Sequence, residues 1–286
     1  MPLPGPRRVQ PLLLSCAGAL RLLLQLHALL TPLHHLLRPA SAHQTTSSYA
    51  DDALGEWKTA RATYYAASDP RDTVAGACGY GDLGRSGYGL GTVGLSESMF
   101  EKGQICGACF EVRCVEELRY CIPGTSIKLT VTNFCPPNYG LPADAGGHCN
   151  PPNQHLVMPI EAFEKIAIWK AGNMPVQYRR IRCVREGGIR FTMDGYGVFH
   201  SVLVSNVGGS GDVTEVKVKG TRSGWLQMAR NWGQNWHINA DLKGQPLSFQ
   251  VTTSDGATRT SYSVAPRDWS FGHTYVGKQF GQTHQP

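Results

Sequence analysis

Residues Gln104 to Cys114 read QICGACFEVRC. Cys106, Cys109 and Cys114 fall within nine residues, and Gly107 follows the first of them. Phe110, Val112 and Cys114 then alternate with polar neighbours, the pattern of a turn running into a half-buried strand. What these cysteines bond to decides the first half of the chain. One reading is a disulfide framework. The other is zinc, with Cys106-x-x-Cys109 as half a site and His148 and Cys149 as later ligands.

Export favours disulfides. Arg7 and Arg8 precede a leucine-rich run from Leu12 to Leu37, and Ala40-Ser41-Ala42 offers a small-x-small cleavage pattern. Arg21 and His27 interrupt the run, so residues 1–42 are expected to be a signal peptide and not an integral membrane span. No later stretch is apolar enough to span a bilayer. Cys16 would leave with the leader, so eight cysteines remain, all before residue 184. An even number in an exported chain implies disulfides, and exported thiols tend to oxidise.

Removing the leader also changes the charge. Four of the 27 Lys and Arg residues lie in it and none of the 21 acids does, which leaves 23 basic against 21 acidic groups. Without a basic cluster, nucleic acid is not an expected partner.

Working outward, His43 to Glu56 is polar and small and reads as a flexible arm (43–56). Order is expected from near Trp57, with a short strand at Ala60–Tyr65. Ala66 to Cys78 is turn-rich and carries Asp69 and Asp72. Gly79 to Gly94 holds seven glycines in sixteen residues but no Lys-Ser or Lys-Thr pair, so it reads as a glycine-rich loop and not as a phosphate cradle. Ile127, Leu129 and Val131 mark another strand. Asn133 to Pro152 is a proline-rich excursion between Cys135 and Cys149. Pro159 to Gly172, with Ile160, Phe163, Ile166, Ala167 and Trp169 as an apolar stripe, reads as the one helix. Gln177 to Val184 returns as a strand and delivers Cys183.

Gly187-Gly188 is the expected hinge. Beyond it strands follow at 189–193, 198–207, 213–219, 225–229, 247–253 and 260–264, without helices, which predicts an antiparallel sandwich. Trp236 and Trp269 suit its core. Trp225 should face out, opposite Leu226, and Trp232 lies in a polar stretch. Exposed rings in an exported β domain suit sugar binding, because flat aromatic faces meet the C–H faces of pyranose units.

Several motifs resemble the plant expansin family closely: ACGYGDL at Ala77–Leu83, CGACFEVRC at Cys106–Cys114, TNFCPPNYGLP at Thr132–Pro142, GHCNPP at Gly147–Pro152, YRRIRC at Tyr178–Cys183, KGTRSGW at Lys219–Trp225 and RNWGQNW at Arg230–Trp236. The insertion between Cys135 and Cys149 resembles the alpha class. The resemblance implies a mainly β protein. A disulfide-stapled six-stranded double-psi β-barrel (57–186), barwin-like and shared with glycoside hydrolases, would come first. A hinge and first strand (187–196) and an immunoglobulin-like cellulose-binding β-sandwich (197–286) would follow. It also implies secretion to the plant cell wall, loosening of contacts between cellulose and matrix glucans of the xyloglucan kind without hydrolysis, no cofactor or metal, and a monomer. By position it implies the pairs Cys78–Cys106, Cys109–Cys183, Cys114–Cys121 and Cys135–Cys149, a glucan groove at Thr63, Tyr65 and His155, and cellulose-binding rings at Trp225, Trp232 and Phe199.

The chain departs from the family pattern in that groove. Members usually read His-Phe-Asp, the Asp matching the general acid of related endoglucanases. Here the stretch is His155-Leu156-Val157, and Ala66 and Ala67 replace the usual glycines after Tyr65. Inverting hydrolysis needs two carboxylates roughly 6.5–9.5 Å apart. Valine supplies none, Asp69, Asp72 and Asp82 have no identifiable partner, and loop-borne Asp144 is no replacement. The chain is therefore not expected to be an enzyme, and a binding-only protein that has lost loosening is the alternative.

Overall fold

The computed structural model describes residues 54–65, 76–117 and 119–281. The expected leader, most of the arm, and the segment with Ala66, Ala67, Asp69 and Asp72 lie outside the described residues. Order is present before Trp57, for the Leu54 amide donates to the Arg180 carbonyl at 2.9 Å.

Six strands close a barrel: β1 (Lys58–Tyr65), β2 (Thr92–Leu95), β3 (Cys109–Cys114), β4 (Ile127–Phe134), β5 (His155–Pro159) and β6 (Met174–Ile181). Around the barrel they run β1-β5-β2-β4-β3-β6. The pairs β1–β5 and β2–β4 are parallel, and the other neighbours are antiparallel. Alternation sends Ala62, Val93, Val112, Leu129, Val131, Leu156, Met158 and Val176 inward, where all are fully buried. The opening stretch supplies β3. Both its faces are covered, because Glu111, on the side away from the core, is buried too. That carboxylate is satisfied by Arg179 Nη2 at 2.6 Å and by the Ser126 hydroxyl at 2.7 Å, which a buried charge requires.

Four disulfides join Cys78–Cys106, Cys109–Cys183, Cys114–Cys121 and Cys135–Cys149. Cys106 and Cys109 are thus bonded to different partners and are not free for a shared metal. Among the described residues no cluster of metal-ligating side chains is found.

The helix expected at 159–172 shrinks to α2 (Ile160–Phe163), the second short helix after α1 (Glu97–Phe100). Pro159 caps it and does not open it. Long-range pairing wins over the apolar stripe. The Ile122 amide donates to Ile166 O, the Ile168 amide donates to Tyr120 O, and Cys121 bridges Ala167. The Cys114–Cys121 loop thereby takes the groups a longer helix would use, and Trp169 is left half exposed.

The second half is a two-sheet sandwich. One sheet holds β10 (Leu226–Gln227), β9 (Val213–Lys219), β13 (Leu247–Thr253) and β14 (Thr258–Ala265), in that order. The other holds β11 (Ala229–Trp232), β12 (Asn235–Asn239), β8 (Phe199–Ser205), β7 (Arg190–Tyr196) and β15 (Thr274–Val276). Strands β12 and β15 are not among the expected strands: β15 is too short to show a period, whereas β12 does alternate Trp236 and Ile238 with Asn235, His237 and Asn239. Phe191 and Phe249 stack between the sheets with ring centroids 4.3 Å apart, and Trp236 and Trp269 are buried beside them.

Gly187-Gly188 does not act as a free hinge. Asn206 Nδ2 donates to Glu186 O and Gly188 O at 2.8 and 2.9 Å, and Gln279 Nε2 donates to Gly187 O at 3.1 Å. A Cβ at Gly188 would lie 1.8 Å from Gly277 O, so only glycine fits. Barrel and sandwich are tied further by the Arg180–Asp212 ion pair. Fully buried Gln234 joins them as well: its side chain donates to Cys106 O at 2.7 Å, and its amide donates to Cys78 O at 3.0 Å.

Candidate functional site

On the outer face of the barrel, β1 contributes Thr59, Arg61, Thr63 and Tyr65, the residues that alternate with buried Ala62. Strand β5 contributes His155 and Val157 between buried Leu156 and Met158. Register pairs Thr63 with Val157, Val157 with Gly94, and Gly94 with Asn133. One row of residues therefore crosses four adjacent strands. The missing carboxylate falls at its centre, and Gly94 leaves a low place beside it.

His155 stands next to this row, with Nε2 2.9 Å from Thr63 Oγ1. Burial, reinforced by the charges of His148 and Arg61, lowers its pKa to about 4. The imidazole is therefore neutral from pH 7 down to mildly acidic conditions. Burial also pushes the Tyr65 phenol above its ordinary value. The sequence reading identified Thr63, Tyr65 and His155. It missed the groups around His155. The His148 and His155 rings stack at 5.3 Å, and His148 Nδ1 donates to Ala143 O at 2.7 Å. Arg61 reaches Asn173 by Nε to Oδ1 at 2.9 Å and by Nη2 to the carbonyl at 2.6 Å. These partners lie up to 112 positions apart in the chain. The only local signal was His148 beside Cys149.

The depressed pKa of His155 has a consequence for stability. Below about pH 6.5 the unfolded chain protonates this histidine and the folded one does not, so the unfolded state binds more protons until about pH 4. Stability should fall as pH drops through that window, by up to about 3 kcal/mol from this group alone. Urea melts at pH 7 and pH 4.5 should show the loss in the native chain, with a clearly smaller loss in His155→Gln. Equal slopes would remove His155 as the cause.

At the centre of the row Val157 offers no carboxylate. Asp144 and Glu116 border the cavity beside His155, but both are solvent-exposed. Asp82 is engaged with Arg85 at 3.4 Å.

The three predicted rings of the sandwich do not share a face. Trp232 pairs with Asn235, and Phe199 pairs with Asn239 and Tyr196, all on the outer side of the five-stranded sheet. Trp232 is 51% exposed. Phe199 has Tyr196 and His237 as ring neighbours at 5.8 and 5.9 Å. Exposed Tyr196 was missed in the sequence. Trp225 precedes Leu226, which pairs with buried Val218. It therefore points outward from the four-stranded sheet, over Lys219 and beside Tyr262. One flat surface cannot touch Trp225 and Trp232 together.

The barrel and the Trp232 face are connected. Asn133 Oδ1 accepts the Ala77 amide at 2.9 Å. Two residues on, Gly79 lies under the Trp232 ring: with φ +84°, a Cβ there would meet the indole at 3.1 Å and Asn235 Nδ2 at 2.2 Å. The row Thr63–Val157–Gly94–Asn133 thus passes through Ala77–Gly79 to Trp232.

A disulfide-stapled six-stranded barrel with an open groove, joined to an aromatic-faced sandwich, defines a two-domain architecture suited to an extended polysaccharide. Comparisons agree with that class. A family model described as lytic transglycolase matches residues 92–178, and one described as expansin C-terminal domain matches residues 189–266. Expansin-A13 of Arabidopsis thaliana is 68% identical over 241 residues, 84% of this chain and 90% of that protein. Expansin-A10 of Oryza sativa subsp. japonica is 63% identical over 241 residues, 84% of this chain and 93% of that protein. The crystal structure of the apo Clavibacter michiganensis expansin superposes with a TM-score of 0.61 at 18% identity, covering 80% of this chain and 100% of that one, a likeness of fold. A mutant of that expansin has been solved in complex with cellohexaose. The chain belongs to the expansin A family, whose members loosen cell walls without hydrolysis.

Proposed function

We propose that the protein is exported to the plant cell wall. There it docks on cellulose through Trp232 and Phe199, and lays a glucan chain across the row Thr63–Val157–Gly94–Asn133, with Tyr65 and His155 alongside. By holding that chain it competes with the non-covalent contacts between cellulose and matrix glucans of the xyloglucan kind. It acts as a monomer and breaks no glycosidic bond. The observation that carries this reading is the continuity of the two surfaces, Asn133 to Ala77 and Gly79 to Trp232. A glucan held by the sandwich face is thereby presented to the barrel. Among the described residues no helix is long and apolar enough to cross a membrane.

Val157 sharpens the test. If chain holding is the whole of the activity, a carboxylate at this position is dispensable. Heat-killed wall strips under load should creep with the native protein, and Val157→Asp should change the rate by no more than about threefold, the scale of one exposed hydrogen bond. Reducing-sugar release from soluble glucan should stay at background for both. Creep only with Val157→Asp would make the native chain a binding protein that has lost loosening.

A further inference from the structure

Beside the row Thr63–Val157–Gly94–Asn133 lies a cavity of about 770 Å³ that this row does not line. Its floor is the neighbouring row of the same sheet, where register pairs Arg61 with His155 and with Pro175. Its roof is the loop closed by Cys135–Cys149, which contributes Ala143, Asp144 and His148. The two rows are offset by two residues along the strands, about 6.6 Å. The cavity is therefore lateral to the track and does not continue it. His155 belongs to both: Nε2 faces Thr63 in the track, and the ring stacks on His148 in the cavity wall.

The lining is chemically mixed. Arg61 and the Asn173 amide supply donors, and Asp144 and Glu116 supply acceptors, so one fixed cation faces two carboxylates. That excess of negative charge favours a neutral ligand over a uronate or a phosphate. Half-buried His148, backed by the buried His155 ring stacked on it, turns its outer face to the cavity as a flat surface for sugar C–H groups. Arg61 is preorganised, since two of its nitrogens are already held by Asn173. The volume of about 770 Å³ lies within the roughly 300–1,000 Å³ of small-molecule sites.

We propose that this cavity is a subsite for a single neutral sugar branching sideways from a β-1,4-glucan laid in the track, so that the protein discriminates branched from linear glucan. The proposal rests on the track reading above. The Cys135–Cys149 loop is the specificity element, and Asp144 and Arg61 are the residues that read the branch.

The test uses the full chain with Trp232→Ala and Phe199→Ala, which silences the sandwich face. Two oligosaccharides of equal backbone length are titrated calorimetrically, one linear and one with single-sugar branches at O6. The branched ligand should bind about tenfold tighter, the scale of one or two charge-assisted hydrogen bonds. Adding Asp144→Ala should remove the advantage and leave the linear ligand unchanged. Thermal melts confirm that each variant is folded. Equal affinity for both ligands in the parent would overturn the subsite, as would losses that strike both ligands alike. Binding of neither ligand would overturn the track reading, and the subsite with it. Binding of the branched ligand alone would support the subsite, the branch supplying affinity that the backbone in the track lacks by itself.

Discussion

Replacing Trp232 and Phe199 together by alanine should abolish pelleting of the protein with insoluble cellulose, whereas Trp225→Ala should leave it within about twofold of the native chain. Each ring covers a large apolar area, and removing it from a sugar contact costs about 2 kcal/mol. Two rings on one surface therefore weaken binding by roughly a hundred- to a thousand-fold. Trp225 cannot compensate, because it stands on the four-stranded sheet with Lys219 and Tyr262 while the other two stand on the five-stranded sheet. The contrast separates a face from a mere count of tryptophans. Should Trp225→Ala lose pelleting as completely as the double variant, the docking surface is not the five-stranded sheet. Trp232→Ala alone also touches the connection to the barrel, since Gly79 sits beneath its ring. A creep assay of that single variant should therefore lose more than its cellulose affinity predicts.

Opening the Cys109–Cys183 disulfide should cost the most stability of the four disulfide removals. The bond closes a loop of 74 residues, for which the chain-entropy relation gives about 4.4 kcal/mol at 25 °C. By contrast, Cys114–Cys121, with a separation of 7, closes a short loop and should contribute about 2 kcal/mol. Cys183 also sits where the barrel gives way to the sandwich: its amide donates to Gly209 O at 2.7 Å. Denaturant melts of Cys109→Ser/Cys183→Ser and Cys114→Ser/Cys121→Ser, each with the remaining pairs oxidised, should rank in that order. The reverse ranking would mean that the long loop is already held in the unfolded chain. Removing Cys135–Cys149 should behave differently again. Its loop roofs the cavity beside His155, so the cost should appear in discrimination between glucans more than in the melt.

Much of the architecture was legible in local pattern. Alternation at Phe110–Cys114 and Ile127–Val131 placed two barrel strands, and strand after strand beyond residue 188 declared the sandwich. Trp236 and Trp269 went to the core as large rings in a small sandwich should. The family resemblance named the four disulfide pairs, which spacing could not have selected, and brought Thr63 and His155 into one groove. Where local pattern misled, a remote segment had intervened. The apolar stripe at 160–169 promised a helix, yet Cys121 and its neighbours, drawn in by the bond to Cys114, pair with Ile166–Ile168 and stop it after one turn.

From the sequence alone came the expectation of export, the stapled and unstapled halves, the two β folds, the absent acid at Val157 and the residues that turn outward. Only the tertiary structure decided which outward residues share a surface. Alternation within a strand separates inside from outside with period two, but a sandwich has two outsides, and sheet membership depends on hydrogen-bond partners far away in the chain. Trp225 and Trp232, seven positions apart, ended on opposite sheets for that reason. The cavity at His155 was equally out of reach. Arg61, Asn173 and His148 come together only when β1, β5 and β6 close the barrel and the Cys135–Cys149 loop folds over them.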